Sequence, residues 1–373
     1  MEGFSVDKQF LKESVQQGAV AFKAGKMDRR AFLTLCAMAG VAVSAVARGD
    51  AHAAANQIIL WNWGGSSEVC HGQYIAEPFT ESTGIGVGFD TSGPLQGKIK
   101  AMVDSGSVTA DVCDADAFDA IALGDSGHLE PIDYSVVDKA KVLDGFAWEY
   151  GVSIIFYGYA FMYDTEAYGD NPPNSWADFF NTAEFPGKRS LYKWANGSLE
   201  GALLADGVSK DALYPLDLDR AIAKVKTIKE DSLYWGSGSE AHSMIVNGEV
   251  SMGMVWQNRG KAIEDDTDGR YKLVMNEALA MPGAYIVPRG NPAGRDAVMK
   301  FIQTAQDPKA QLGLLDCLGM TPTNPTAFGM IPEGQKAYAI TSAMNIDKVV
   351  YNDPVWWGAN SEKAVNAFLE AIS

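Results

Sequence analysis

Four aspartates stand close together in this chain, at Asp111, Asp114, Asp116 and Asp119. Clustered carboxylates suit calcium, but the run lacks the glycine and distal glutamate of a calcium-binding loop. The acids read instead as helix-start residues with one acid facing a pocket. Large aromatics recur at strand ends and in loops: Trp61, Trp63, Phe118, Trp194, Trp235, Trp256, Trp356 and Trp357. About half of such residues belong in a core. An acid beside aromatic faces is also a physical solution for holding an organic cation, through cation–π attraction and a counter-charge.

Other chemistries leave no signature. There is no phosphate-binding loop, no G-x-S-x-G elbow and no H-E-x-x-H. His52, His71, His128 and His242 are far apart and lack metal or catalytic spacing. The glycines at 84, 86 and 88 precede no helix, so they are not a dinucleotide loop. The expectation is a binder, not an enzyme, with no cofactor and no metal. A carboxylate- or metal-dependent hydrolase is the remoter alternative, because paired carboxylates leave little trace in sequence.

The elements that must position these residues follow from periodicity. Gln57–Glu68 reads as an apolar strand, two indoles, a Gly64-Gly65 turn and a helix start. Successive strand residues face opposite sides, so Trp61 is expected in the core and Trp63 in a crevice. Ligands in open α/β sheets sit outside the carboxyl ends of the strands. Helices are expected at Tyr74–Ser82 and Leu95–Ser105, and strands at Ile85–Phe89 and Ala110–Cys113. The latter delivers Asp114–Asp119 to a strand end. Val152–Tyr163 is a central run crossing between two lobes. Further strands are read at Arg189–Lys193, Glu249–Trp256, Tyr271–Met275 and Ala284–Val287. Helices are read at Trp176–Asn181, Leu218–Glu230, Ser239–Asn247, Val298–Ala305, Lys309–Leu318 and Lys363–Ile372. Strands alternating with helices argue for α/β architecture with mainly parallel sheets.

At 373 residues the chain exceeds one ordinary core, so two lobes are expected. The net charge is −17. Residues 1–53 carry seven basic and five acidic side chains, leaving 23 against 42, or −19, beyond them. Such a surface repels phosphate backbones and argues against nucleic acid. Met27–Ala53 has a charged start with Arg29-Arg30, a short apolar run and an Ala51-His52-Ala53 end. That is the anatomy of an export signal of twin-arginine type. The run is short of the about 20 apolar residues that span a bilayer. Among Cys70, Cys113 and Cys317 no zinc spacing occurs. Three buried thiols are the expectation, one disulfide with a spare thiol the alternative.

From about Gln57 onward the chain resembles the spermidine/putrescine-binding type of bacterial extracellular solute-binding proteins. The resemblance rests on Leu60–Trp63, Thr83-Gly84-Ile85, Asn174–Asp178 with Phe185-Pro186-Gly187, Asn247–Trp256 and Thr321–Asn324. It implies the two-lobed periplasmic-binding fold of type II, joined by crossing strands and closing on a ligand. It also implies a monomer in the periplasm that delivers a small organic amine to the membrane permease of an ABC importer. The divisions implied are 1–55 extension and signal, 56–162 and 279–373 lobe 1, and 163–278 lobe 2. The hinge falls near Tyr159–Asp164 and Met275–Tyr285.

Trp63, Phe118 and Trp256 fall on the family's aromatic contact positions, with Trp61 beside them, and Asp116 on a polar one. Tyr285 lies in the returning strand, and Trp356-Trp357 in a last contact segment. The carboxylates that hold polyamine ammonium groups are missing from Trp194–Ser198 and Met281–Ala284. A diamine would leave an ammonium unpaired. Asp116 with the indoles suits one cationic head, and Lys193 or Arg259 a carboxylate. The alternative ligand is therefore a zwitterion such as 4-aminobutyrate or a betaine.

Overall fold

The computed structural model describes residues 57–373; the extension and export signal read from residues 1–55 lie outside the described residues. Strands β1 (Gln57–Trp61), β2 (Gly86–Asp90) and β3 (Val112–Asp116) run parallel, each joined to the next through helices. Both faces of this sheet are covered. Ile58 and Leu60 pack with Cys70, Ile75 and Phe79 on one side. Trp61 packs with Ile99, Cys113 and Ala117 on the other.

Two-residue strands β4 (Leu129–Glu130) and β5 (Ala147–Trp148) lead into β6 (Gly151–Asp164), which leaves the first lobe and enters the second. There β7 (Arg189–Tyr192), β8 (Ser232–Trp235) and β9 (Met252–Trp256) form a second parallel set. Its core gathers Trp176, Phe179, Leu203, Trp235 and Ile245. The chain returns along β10 (Tyr271–Pro288) and ends with short strands β11 (Thr321–Pro322) and β12 (Val350–Tyr351). One sheet therefore runs through both lobes in the order β2-β1-β3-β10-β6-β9-β7-β8. Among the described residues no helix is long and apolar enough to cross a membrane.

β10 corrects the expectation of two separate strands. It pairs with β6 along most of its length, and the register shifts between Gly283 and Ala284 and again between Val274 and Leu279. The polar pair Asn276-Glu277 interrupts the apolar run there, and Glu277 adopts a φ of 58°. The bulge is tied down: Glu277 accepts hydrogen bonds from the backbone and indole N–H of Trp176, both at 3.0 Å. β8 has no counterpart among the expected strands. The last helix begins at Pro354, not Lys363; Asp353 caps it by accepting from Val355 and Trp356 N–H. Asp at the cap with Pro at the first turn is a helix start that the bulky indoles disguise.

The cysteines also differ from the expectation. Cys70 and Cys317 form a disulfide with Cα atoms 6.0 Å apart, and Cys113 is a buried free thiol. The bond ties the helix after β1 to helix Pro308–Leu318. Cross-linking across 247 residues of sequence restricts the unfolded chain strongly. The double variant Cys70→Ala/Cys317→Ala is expected to lose about 3 kcal/mol of stability, read by urea denaturation.

Candidate ligand-binding cleft

The carboxyl ends of β3, β7, β8 and β9 are linked by side-chain contacts through β6, and Asp116 lies at the end of β3. It occupies the N-cap position of helix Ala117–Asp125, yet its side chain caps no backbone N–H. The carboxylate instead accepts a 2.8 Å hydrogen bond from the Tyr157 hydroxyl. Burial pushes its pKa up to about 6 against the opposing effect of that hydrogen bond, with nearby Asp114 adding to the rise. The neighbouring acids have internal duties. Asp111 accepts from the backbone N–H of Ile59 and of Ala293, both at 2.7 Å. Asp119 accepts from Gln96 at 3.2 Å.

A tray of rings extends from Asp116 into the second lobe. Tyr157 and Tyr159 alternate onto one face of β6, with centroids 6.1 Å apart. Tyr159 stacks on Tyr192 at 5.8 Å, and Tyr192 on Trp235 at 4.5 Å. Trp256 meets Tyr192 edge-on at 5.6 Å. Tyr192, Trp235 and Trp256 are the last residues of β7, β8 and β9.

Arg259 stands at the far end, in the turn after β9. Gly238 gives it room: a Cβ there would lie 2.8 Å from its Cζ and 2.7 Å from a Trp256 ring carbon. Arg189, Arg220, Arg270 and Arg295 are each engaged by protein carbonyls or carboxylates. Arg259 is half-buried and has no such partner among the described residues. Its turn is anchored on both sides. Gln257 accepts from Gly158 N–H at 2.8 Å and donates to the Gly319 carbonyl at 2.9 Å. Asn258 donates to the Leu318 carbonyl at 2.8 Å. An anionic group at Asp116, a cationic one at Arg259 and the rings of β6 to β9 make a chemical arrangement that suits a small dipolar molecule.

Residues 74–341 match the family model described as bacterial extracellular solute-binding protein. The chain belongs to the bacterial extracellular solute-binding proteins. This solute-binding protein is 28% identical over 324 residues to the gamma-aminobutyric acid-binding protein of Pseudomonas aeruginosa, covering 85% of this chain and 91% of that one. Its fold is similar to the Atu4243–GABA receptor, with a TM-score of 0.79 and 33% identity across 85% and 98% of the two chains. It is also similar to MotA of A. tumefaciens B6 in complex with glucopine, with a TM-score of 0.75 and 27% identity across 85% and 100%. The periplasmic-binding architecture is thereby established. Membership implies a small-molecule ligand, an ABC-importer permease as partner and a periplasmic location; proteins of this family bind and release solutes without turning them over.

The solute-binding protein brings together Asp116, Trp256 and Arg259 of the residues singled out from sequence. Trp63 is 51% exposed, and its ring lies against Gly93. Trp61 is buried and donates its indole N–H to Ser92 at 3.0 Å. Phe118 is half-buried against the second lobe's core. Lys193 is exposed to solvent. Tyr285 is buried and stacks on Phe301 at 6.0 Å. Trp356 is half-buried beside Tyr214, 6.1 Å away, whereas Trp357 is fully buried.

Tyr157, Tyr159 and Tyr192 escape a search confined to tryptophans and strand ends, although their alternation in FYGYAFMY is visible. Glu200 lies two residues past the acid-free stretch Trp194–Ser198 and is buried. Its carboxylate accepts from Tyr214 at 2.6 Å, Trp357 at 2.8 Å, Asn352 at 3.1 Å and Gly197 N–H at 2.8 Å. With four donors on it, Glu200 serves the scaffold.

Proposed function

We propose that this protein captures a small zwitterion, an ω-amino acid of the 4-aminobutyrate class, and presents it to an ABC-importer permease. The observation that carries the reading is the pairing of Asp116 with an otherwise unpartnered Arg259 across one aromatic tray. The ammonium group docks on Asp116, flanked by Tyr157. The carboxylate docks on Arg259, whose planar fork suits it. The aliphatic stem lies over Tyr159, Tyr192 and Trp256. Both full charges of the ligand then meet a partner, which a desolvated ion requires. A long diamine would place an ammonium against Arg259, and like charges in contact are costly. GABA, named for two of the similar proteins, is such a zwitterion. The lobes close by bending at the β6–β10 register break between Val274 and Leu279. Export by the twin-arginine route and a monomeric state belong to the same proposal.

The test is thermal stabilisation of the mature protein with 4-aminobutyrate, betaine, putrescine, spermidine and common amino acids. Ligand at 100 times its Kd adds about 2.7 kcal/mol. A shift with 4-aminobutyrate and none with the polyamines is expected; the reverse pattern overturns the proposal.

Binding should also depend on pH, with a sign set by Asp116. Its folded pKa is near 6, above the ordinary 3.8. The carboxylate must be ionised to hold an ammonium, so affinity is nearly full by pH 7, is halved near pH 6 and falls further below it. Calorimetry at pH 5 should give about tenfold weaker binding than at pH 7. A flat profile over that range removes Asp116 from the site.

A further inference from the structure

Behind Asp116 lies a second group of polar side chains that the charge-to-charge site does not use. The register pairing Trp61 with Cys113 sets Asn62 beside Asp114, and Tyr285 pairs with Asp114 from β10. Three strands thus bring these residues into one row. His71 approaches from the helix after β1, its Nε2 3.8 Å from Asp114 and its ring 6.2 Å from that of Tyr285. Exposure is 0% for Asn62, 1% for His71 and Tyr285, and 5% for Asp114. Asn62 Nδ2, His71 Nε2 and the Tyr285 hydroxyl have no hydrogen-bond partner among the described residues.

The polarity of each group is fixed by its surroundings. Asn62 Oδ1 accepts from Gly64 N–H at 3.0 Å, which leaves Nδ2 as the donor into the cluster. His71 Nδ1 lies 2.8 Å from the Ser67 carbonyl and donates to it, which in the neutral ring leaves Nε2 as an acceptor. Asp114 is a second acceptor, and Tyr285 a second donor. Two donors and two acceptors give neither a bare cation nor a bare anion a full set of partners. They complement a neutral O–H group, which accepts and donates at one oxygen.

We propose that Asn62, His71, Asp114 and Tyr285 form an inner subsite for one neutral hydroxyl oxygen, belonging to water or to the captured solute. Asp114 sits two residues before Asp116 on the same face of β3, so a solute held at Asp116 has the subsite beside it. The solute arm of this proposal rests on the zwitterion reading; the water arm does not.

The test combines high-resolution crystals of the ligand-free protein with calorimetry of 4-aminobutyrate and 4-amino-3-hydroxybutyrate on wild type and Tyr285→Phe. A single density peak within hydrogen-bond distance of Asn62 Nδ2, His71 Nε2 and Tyr285 Oη is expected in the ligand-free crystals. If the solute supplies the hydroxyl, the hydroxy acid binds about five- to tenfold more tightly than its parent. Tyr285→Phe then removes that margin, read as the ratio of the two acids' affinities on the variant. If water stays, the two acids bind alike and the peak persists in the complex. Absence of the peak from ligand-free crystals overturns the proposal. Failure of both acids to bind with the peak present overturns the zwitterion reading alone.

Discussion

Asp116→Asn is expected to weaken 4-aminobutyrate binding by about two to three orders of magnitude, a loss of roughly 3–4 kcal/mol. The amide keeps the shape of the side chain and a hydrogen bond to Tyr157. It removes the one charge that answers the ligand's ammonium in a desolvated cleft. Because burial already disfavours the carboxylate here, the asparagine variant should unfold at the same urea midpoint or a higher one. Titration calorimetry beside urea denaturation separates the two effects. Affinity within threefold of wild type would remove Asp116 from the site.

Arg259→Met is the second large effect, and it strikes the opposite end. Methionine preserves an unbranched stem against Trp256 and Gly238 while deleting the guanidinium. Affinity for 4-aminobutyrate should fall at least a hundredfold. Affinity for butylamine, which has the ammonium and no carboxylate, should stay where it was or rise. No protein carboxylate depends on Arg259 among the described residues, so folding stability should be little changed. Equal losses for both ligands would mean that the variant disturbs the tray instead of removing a charge partner.

The long apolar runs were the most legible part of this fold. Ile58–Leu60, Val152–Tyr163 and Met252–Trp256 are too hydrophobic for any exposed element, and all three are strands. β8 is only four residues, Ser232–Trp235, and mixed in polarity, so it carries no period to detect. The Cys70–Cys317 pairing spans 247 residues of sequence, and linear spacing holds no information about it. Of the candidate site, the strand-end positions of Asp116 and Trp256 were readable from the apolar runs that precede them. Arg259 was readable only as one of two candidate bases. What distinguishes it from Lys193 is half-burial without a partner, a property of the packed chain. Glu200 was missed because four donors scattered from Gly197 to Trp357 converge on it only after folding.

The anchoring of Gln257 and Asn258 sets the mechanics of the cleft. Although Arg259 follows a strand of the second lobe, its turn is pinned to the Leu318 and Gly319 carbonyls. Those carbonyls end a helix packed in the core of the first lobe, and Cys317 is bonded there to Cys70. Both jaws of the site are thereby mounted on one frame. On the proposed reading, the reach from Asp116 to Arg259 would then be set like a calliper by the first lobe's frame. Homologous amino acids that differ by one methylene would be sorted by reach: too short to touch both jaws, or long enough to buckle between them.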